Sequence, residues 1–153
     1  HSQNIESWFT HVPGLKVVYP STPMDVKGLL IASIDDPNPV LFFEHKGLYR
    51  SLKSDVSEGL YSLDIGKGSI IQNGKDLTII TYGLGVHWVL ESIKEIPENK
   101  TIEIIDLRSL ELLWQKEGCI PTDSMTAIKI NFYKYKCSFC RITWCSKNRI
   151  FCC

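Results

Sequence analysis

Between Leu15 and Phe43 a short apolar run, a capped helix and a second apolar run follow one another, and that order leaves few folds open. Leu15-Lys16-Val17-Val18-Tyr19 is rich in β-branched residues and stops at Pro20, so it is predicted to be a buried strand. Thr22-Pro23-Met24-Asp25 supplies an N-cap hydroxyl, a proline at the first helical position and an acid in the first turn, the combination that starts a helix. Val26, Leu29, Leu30, Ser33 and Ile34 are predicted to form its core-facing stripe. Two prolines in Asp35-Asp36-Pro37-Asn38-Pro39 end it, because proline cannot continue the hydrogen-bond ladder. Val40-Leu41-Phe42-Phe43 is then a second buried strand with Glu44-His45-Lys46 at its carboxyl end. Strand, helix and strand joined by short connections form a βαβ unit, which demands parallel pairing.

A second unit of the same class follows. The stretch from Arg50 to Leu63 is polar and weakly patterned and is expected to be an extended linker. Gly68-Ser69-Ile70-Ile71-Gln72 and Leu77-Thr78-Ile79-Ile80-Thr81-Tyr82 flank Asn73-Gly74, a favoured turn dipeptide that predicts a hairpin. Gly83-Leu84-Gly85 then leads into a helix expected over 86–96, and Thr101 to Leu107 forms the next strand. A nucleotide fingerprint would need a small residue where Trp88 stands, so a plain strand–turn–helix is the better reading of these glycines. The expected fold class is α/β, as parts of two α/β domains.

The neutral net charge conceals a boundary. Every acidic residue lies at or before Asp123, whereas Lys129, Lys134, Lys136, Arg141, Lys147 and Arg149 follow it. Cysteine divides the same way: none precedes Cys119, and Cys137, Cys140, Cys145, Cys152 and Cys153 crowd the end. Cys137-Ser138-Phe139-Cys140 has the spacing of zinc ligands, but adjacent Cys152-Cys153 is awkward ligand geometry. A shifted reading frame or read-through into noncoding sequence accounts better for an acid-free tail of this kind. Six scattered cations without a fold make poor nucleic-acid recognition. No apolar run is long enough to cross a bilayer, and no membrane role is expected.

The ordered residues of the first two thirds resemble a known family. His1-Ser2-Gln3, Trp8-Phe9, His11, Pro13-Gly14-Leu15-Lys16-Val17-Val18 and Pro20-Ser21 are similar to the β subunit of thiamine-diphosphate-dependent 2-oxo acid dehydrogenases. So are Lys27-Gly28-Leu29-Leu30, Asp36, Asn38-Pro39-Val40, Phe43-Glu44 and Leu48-Tyr49-Arg50. The likeness continues through Ile65-Gly66-Lys67, Asp76 to Gly83, Val86-His87 and Ile105-Asp106-Leu107-Arg108-Ser109-Leu110. It implies the end of a pyrimidine-binding domain at 1–50, a linker at 51–63 and the start of a transketolase-like carboxy-terminal domain at 64–110, with 111–153 an aberrant tail outside the family pattern. It also implies that His1 is the active-site histidine, facing the substrate side of thiamine diphosphate; imidazole suits that work because it serves as acid or base near neutral pH. A potassium site is implied at Ser33, Ile34, Asp36 and Asn38, where a helix end exposes carbonyl oxygens.

The implied partners are an α subunit, which would bind the cofactor's diphosphate through Mg2+, and the lipoyl domain of an acyltransferase core. The expected compartment is the bacterial cytoplasm or the mitochondrial matrix. The family's cofactor-activating glutamate lies upstream of the His-Ser-Gln segment, so the chain is expected to be a fragment, inactive alone, with no cofactor-binding residue of its own. A fragment of 1-deoxyxylulose-5-phosphate synthase or of transketolase is the alternative enzyme reading; Phe43-Glu44-His45-Lys46 and Leu48-Tyr49-Arg50 favour the dehydrogenases. A truncated, non-catalytic subunit docking on an α partner is the alternative of another class. His11 and His87 are expected to be structural, and His45 to serve an interface or solvent.

Overall fold

The structure, a computed structural model, describes residues 5–97, 99–110 and 150–151. His1 and the cysteine-bearing tail between 111 and 149 lie outside the described residues. The first unit runs α1 (Glu6–Phe9), β1 (Lys16–Val18), α2 (Pro23–Asp35), β2 (Val40–Phe42) and α3 (Leu48–Ser51). β1 and β2 pair in parallel with Lys16 opposite Val40 and Val18 opposite Phe42, so α2 is the crossover of the expected βαβ unit. Thr22 caps α2 as read from sequence, its Oγ1 accepting from the Asp25 N–H at 3.2 Å.

α2 departs from the expected stripe. Leu29 is fully buried, but Leu30 and Ile34 are 44% and 74% exposed, while Asp25 and Gly28 join Leu29 on the covered face. The cause is the segment after α3, which lies along the helix. A Cβ on Gly28 would stand 2.6 Å from Leu63 Cγ and 2.7 Å from Tyr61 Cε2. The helix therefore turns its side-chain-free position toward that strap and leaves two large apolar residues outward. The strap is moored there by Leu63 N–H to the Gly28 carbonyl (3.1 Å), by Tyr61 O–H to the Met24 carbonyl (2.7 Å) and by Lys27 Nζ to the Ser57 carbonyl.

The second unit contains β3 (Ser69–Gln72), β4 (Leu77–Thr81), α4 (Leu84–Ser92), a 3₁₀ turn (Ile93–Glu95), β5 (Ile102–Asp106) and β6 (Ile150–Phe151). Its sheet has the order β3-β5-β4-β6. The expected β3–β4 hairpin is thus overturned. β5 lies between the two strands, antiparallel to β3 and parallel to β4. The residues just after Asn73-Gly74 bond to Thr101 at the head of β5 rather than across a hairpin, with Lys75 N–H on Thr101 Oγ1 at 3.0 Å and Asp76 N–H on the Thr101 carbonyl at 3.0 Å. Gly74 crosses so close to β5 that a Cβ would fall 2.1 Å from the Ile102 carbonyl carbon. The glycine permits a backbone crossing rather than a tight hairpin.

β4 and β5 are buried along their whole length, as parallel strands covered on both faces must be. Leu77, Ile79, Val89, Ile102 and Ile104 form one cluster with α4 and the 3₁₀ turn; Ile80, Ile105 and Leu107 form another on the opposite side.

Candidate functional site

The polar groups converge where the carboxyl ends of β1 and β5 meet. Beyond β5 the chain turns and lies antiparallel to β1: Tyr19 N–H donates to the Arg108 carbonyl and Leu110 N–H to the Val17 carbonyl, each at 2.8 Å, with Val18 opposite Ser109. Arg108 takes φ 58° to make that turn, a left-handed conformation costly for a residue with a Cβ. Its guanidinium reaches back to α2, where Nη2 lies 2.6 Å from Asp25 Oδ1. The other oxygen of Asp25 accepts from the Thr22 hydroxyl at 2.6 Å. Beside this ion pair, Asp106 Oδ2 accepts from Ser21 Oγ at 2.5 Å and Oδ1 from the Arg108 N–H at 3.1 Å. His87 of α4 closes the group, its Nε2 2.7 Å from the Ser21 carbonyl. Burial pushes the Asp106 carboxyl up to about 6, with Ser21 and Arg108 opposing and the charge of Asp25 adding; desolvation of the charged form is the dominant cause.

An aromatic wall adjoins this joint. Tyr19 stacks on Phe43 with ring centroids 6.0 Å apart, Phe9 meets Phe43 at 6.0 Å and Tyr82 meets Tyr19 at 5.3 Å. Glu6 is buried beside it and held above its ordinary range by desolvation. The Tyr19 hydroxyl is pushed up to about 12, first by burial and then by the charge of Glu6. Both lie at the carboxyl ends of β1 and β2, where sites of parallel sheets gather. α1, which carries Glu6 and Phe9, stands five residues after His1 in the chain.

Ser33, Ile34, Asp36 and Asn38 are brought together at the end of α2. Ser33 Oγ donates to the Leu29 carbonyl at 2.6 Å. Asp36 Oδ1 accepts from the backbone N–H of Asn38 (2.9 Å) and from its Nδ2 (3.2 Å). Asp36 Oδ2 lies 2.5 Å from Lys16 Nζ; that hydrogen bond, then the Asn38 N–H, hold the carboxyl below the usual carboxylate range. Helix-end carbonyls lack intrahelical partners, so Ser33 and Ile34 offer oxygens beside a carboxylate and a carboxamide. An oxygen-only donor set of this kind suits a hard alkali cation, with the Lys16 ammonium as its competitor. Among the described residues no three His, Cys, Asp or Glu side chains cluster as a metal site, and no helix is long and apolar enough to cross a membrane.

The joint of Ser21, Asp25, His87, Asp106 and Arg108 was not singled out from sequence. Its signal was present: Asp106 and Arg108 follow directly on the apolar Ile104-Ile105, at the carboxyl end of a parallel strand. His87 is hydrogen-bonded to the Ser21 backbone, and His45 accepts the Gly47 N–H on Nδ1 at 3.1 Å.

Residues 1–51 match the family model of the transketolase pyrimidine-binding domain, and residues 66–117 that of the transketolase C-terminal domain. The second match runs on to residue 117, past the boundary expected at 110. The chain is 52% identical over 114 residues to the β subunit of acetoin:2,6-dichlorophenolindophenol oxidoreductase of Cupriavidus necator, covering 74% of this chain and 33% of that protein. It is 46% identical over 127 residues to the 2-oxoisovalerate dehydrogenase β subunit of Bacillus subtilis, covering 82% and 38%. To the pyruvate dehydrogenase E1 component β subunit of the same organism it is 44% identical over 114 residues, covering 74% and 35%. A solved split-gene transketolase in an inactive β4 tetramer has the same fold, with a TM-score of 0.53 at 17% identity over 68% of this chain and 34% of that one. The chain thus spans about a third of the length of the curated relatives it matches.

Proposed function

Because the chain belongs to the transketolase-like family of 2-oxo acid dehydrogenase β subunits, we propose that it is part of the decarboxylating component of a 2-oxo acid dehydrogenase complex. The reading rests above all on one observation: both domain matches occur in order on one chain, which is 46% and 44% identical to two 2-oxo acid dehydrogenase β subunits. The full component would decarboxylate a 2-oxo acid and pass the acyl group to a lipoyl domain. The family depends on thiamine diphosphate, which when bound supplies a nucleophilic carbon and an electron sink for decarboxylation.

The chain's own residues fit one side of such a centre. Tyr19, Phe43 and Phe9 offer an apolar face that excludes water. His1 would hold the substrate's oxygen and move a proton at an imidazole nitrogen, a contribution of the order of 10²–10⁴-fold. Mg2+ and the diphosphate fall to an α subunit in this reading. Potassium would sit at the end of α2 on the oxygens of Ser33, Ile34, Asp36 and Asn38, fixing the turn that leads into β2.

The 153-residue chain, supplied with thiamine diphosphate, Mg2+ and pyruvate, 2-oxoisovalerate or acetoin, is expected to show no turnover; turnover without an α subunit would overturn the fragment reading. In the longer protein that carries this segment, assembled with its α subunit, His1→Ala is expected to cut acyl transfer to a lipoyl domain by at least about a hundredfold. An unchanged rate removes His1 from the centre. Thermal melts in KCl against NaCl at equal ionic strength test the cation: the midpoint should rise in KCl, and Asp36→Asn should abolish the difference.

A further inference from the structure

Among the described residues Asp106 is the most deeply buried carboxyl, with no exposed surface. Each element packed around it contributes identifiable groups. The end of β1 brings the Ser21 hydroxyl, 2.5 Å from Oδ2. α2 brings the second carboxylate, Asp25, and α4 brings His87, which stands on the carbonyl of the same Ser21. The turn after β5 brings Arg108, through its N–H on Oδ1 and its guanidinium on Asp25. β3 and β4 flank Asp106 at Ser69 and Thr81 and carry no charge there. One cation therefore serves two carboxylates, and the guanidinium is committed to Asp25. Ionised Asp106 is a buried negative charge held by two hydrogen bonds; protonated Asp106 is a neutral group that exchanges a hydrogen bond with Ser21 just as well.

We infer that Ser21, Asp25, Asp106 and Arg108 form a pH-sensitive joint between the two units, shut while Asp106 carries a proton and loosened when it ionises. Loosening frees the pairing of residues 17–19 with 108–110 while the β3–β5–β4 sheet stays formed. The direction follows from linkage. A carboxyl held above its ordinary range in the closed form binds its proton more tightly there than in the open form. The closed joint is therefore favoured in full below the ordinary carboxylate range, and the advantage is lost as pH rises through about 6. This is opposite to the usual surface aspartate. The inference does not depend on the enzymatic reading, since it concerns the contact between two parts of one chain.

Amide hydrogen exchange of the full chain from about pH 3.5 to 8, corrected for intrinsic rates, reads the joint directly. Tyr19 and Leu110 carry its interunit N–H donors, and Ile104 reports the centre of the sheet. Protection of Tyr19 and Leu110 is expected to fall by up to about tenfold per pH unit between the ordinary carboxylate value of 3.8 and about 6, the slope of one released proton, and to be flat above that. At pH 8 it should be lower than that of Ile104. Asp106→Asn should remove the slope. Ser21→Ala, a milder change that takes away a donor to the carboxylate, should carry the fall on to higher pH before it levels off. Protection that stays flat with pH, a slope that survives in Asp106→Asn, a levelling-off point unmoved in Ser21→Ala, or joint amides that track Ile104 at every pH would each overturn the proposal.

Discussion

Arg108 Nη2 stands 2.6 Å from Asp25 Oδ1, an ion pair whose carboxylate is 3% and whose guanidinium is 21% exposed. It bolts the first turn of α2 to the end of β5, and so joins residues from both family matches. The geometry is costly, because Arg108 is the described non-glycine residue with positive φ and such a backbone costs roughly 1–2 kcal/mol. Three bonds hold it there: the N–H on Asp106, the carbonyl under the Tyr19 N–H and the guanidinium on Asp25.

Removing the carboxylate leaves a largely enclosed cation without its partner, so Asp25→Asn is expected to cost about 3 kcal/mol. The chemistry of position 108 separates pair from backbone. Arg108→Ala loses the pair and keeps the strained φ, whereas Arg108→Gly loses the pair and relieves the strain. Urea denaturation should find the glycine variant more stable than the alanine variant by about 1 kcal/mol. Equal stabilities would mean that the turn relaxes once the guanidinium is gone.

Gly74 predicts a sharper effect. An added Cβ would meet the backbone of Ile102 and Glu103 at 2.1 and 2.3 Å, and backbone in the middle of a sheet has no rotamer to yield. Gly74→Ala is expected to destabilise by about 3 kcal/mol, the upper part of the range for overpacking. A hairpin turn would tolerate Asn or Asp at this place, whereas beside the Ile102 and Glu103 backbone Gly74→Asn should be as damaging as alanine. Circular dichroism melts of the two variants decide between these accounts.

Those residues also show how far the sequence was legible. The βαβ unit was readable because cap, proline stops and apolar runs all act locally, and Thr22, Pro23 and Asp35 stand where those signals put them. The β3–β4 hairpin was not, because Asn-Gly states only that the chain turns. Which strand lies beside β3 is decided by α4, which carries the chain over so that β5 returns in parallel beside β4, into the place a hairpin would have filled. The outward roll of Leu30 and Ile34 was hidden for a similar reason: the apolar stripe read from periodicity does not include Gly28, and it is the packing of Tyr61 and Leu63 on Gly28 that sets which face is covered. At the end of α2 only the turn was legible, from its two prolines; a cation site at Asp36 and Asn38 came from the family resemblance alone. The joint at Asp106 was not, because its partners Ser21 and Asp25 come from the other unit.

Asp36 gives a pH dependence of the ordinary sign. The Lys16 hydrogen bond, then the Asn38 N–H, hold its carboxyl below the ordinary 3.8. A carboxylate whose value is lowered in the fold contributes stability above 3.8 and loses it as pH falls through the lowered value. The difference in thermal midpoint between the wild-type chain and Asp36→Asn is therefore expected to be present at pH 7 and to close in acid, as pH falls below 3.8 and through the lowered value. A gap that persists in stronger acid would show that the carboxamide fails for a reason other than charge. Read together with Asp106, this places two aspartates of opposite sign in one short chain.

Gly28 tests the strap. A Cβ there would lie 2.6 Å from Leu63 Cγ, 2.7 Å from Tyr61 Cε2 and 2.9 Å from Leu63 Cδ1, all side-chain atoms that can move. Gly28→Ala should gain about 1 kcal/mol of helix propensity and lose about 1–3 kcal/mol to crowding, so the global midpoint should change little. The local outcome is different. With Tyr61 and Leu63 displaced, the bonds from Tyr61 O–H to Met24 and from Leu63 N–H to Gly28 lengthen, and the strap from Ser57 to Leu63 lifts. Trypsin cleavage after the exposed Lys53 should then accelerate several-fold, because proteolysis tracks local opening. Unchanged cleavage would mean that the strap is held by Lys27 on the Ser57 carbonyl, and Lys27→Met would then be the variant that frees it.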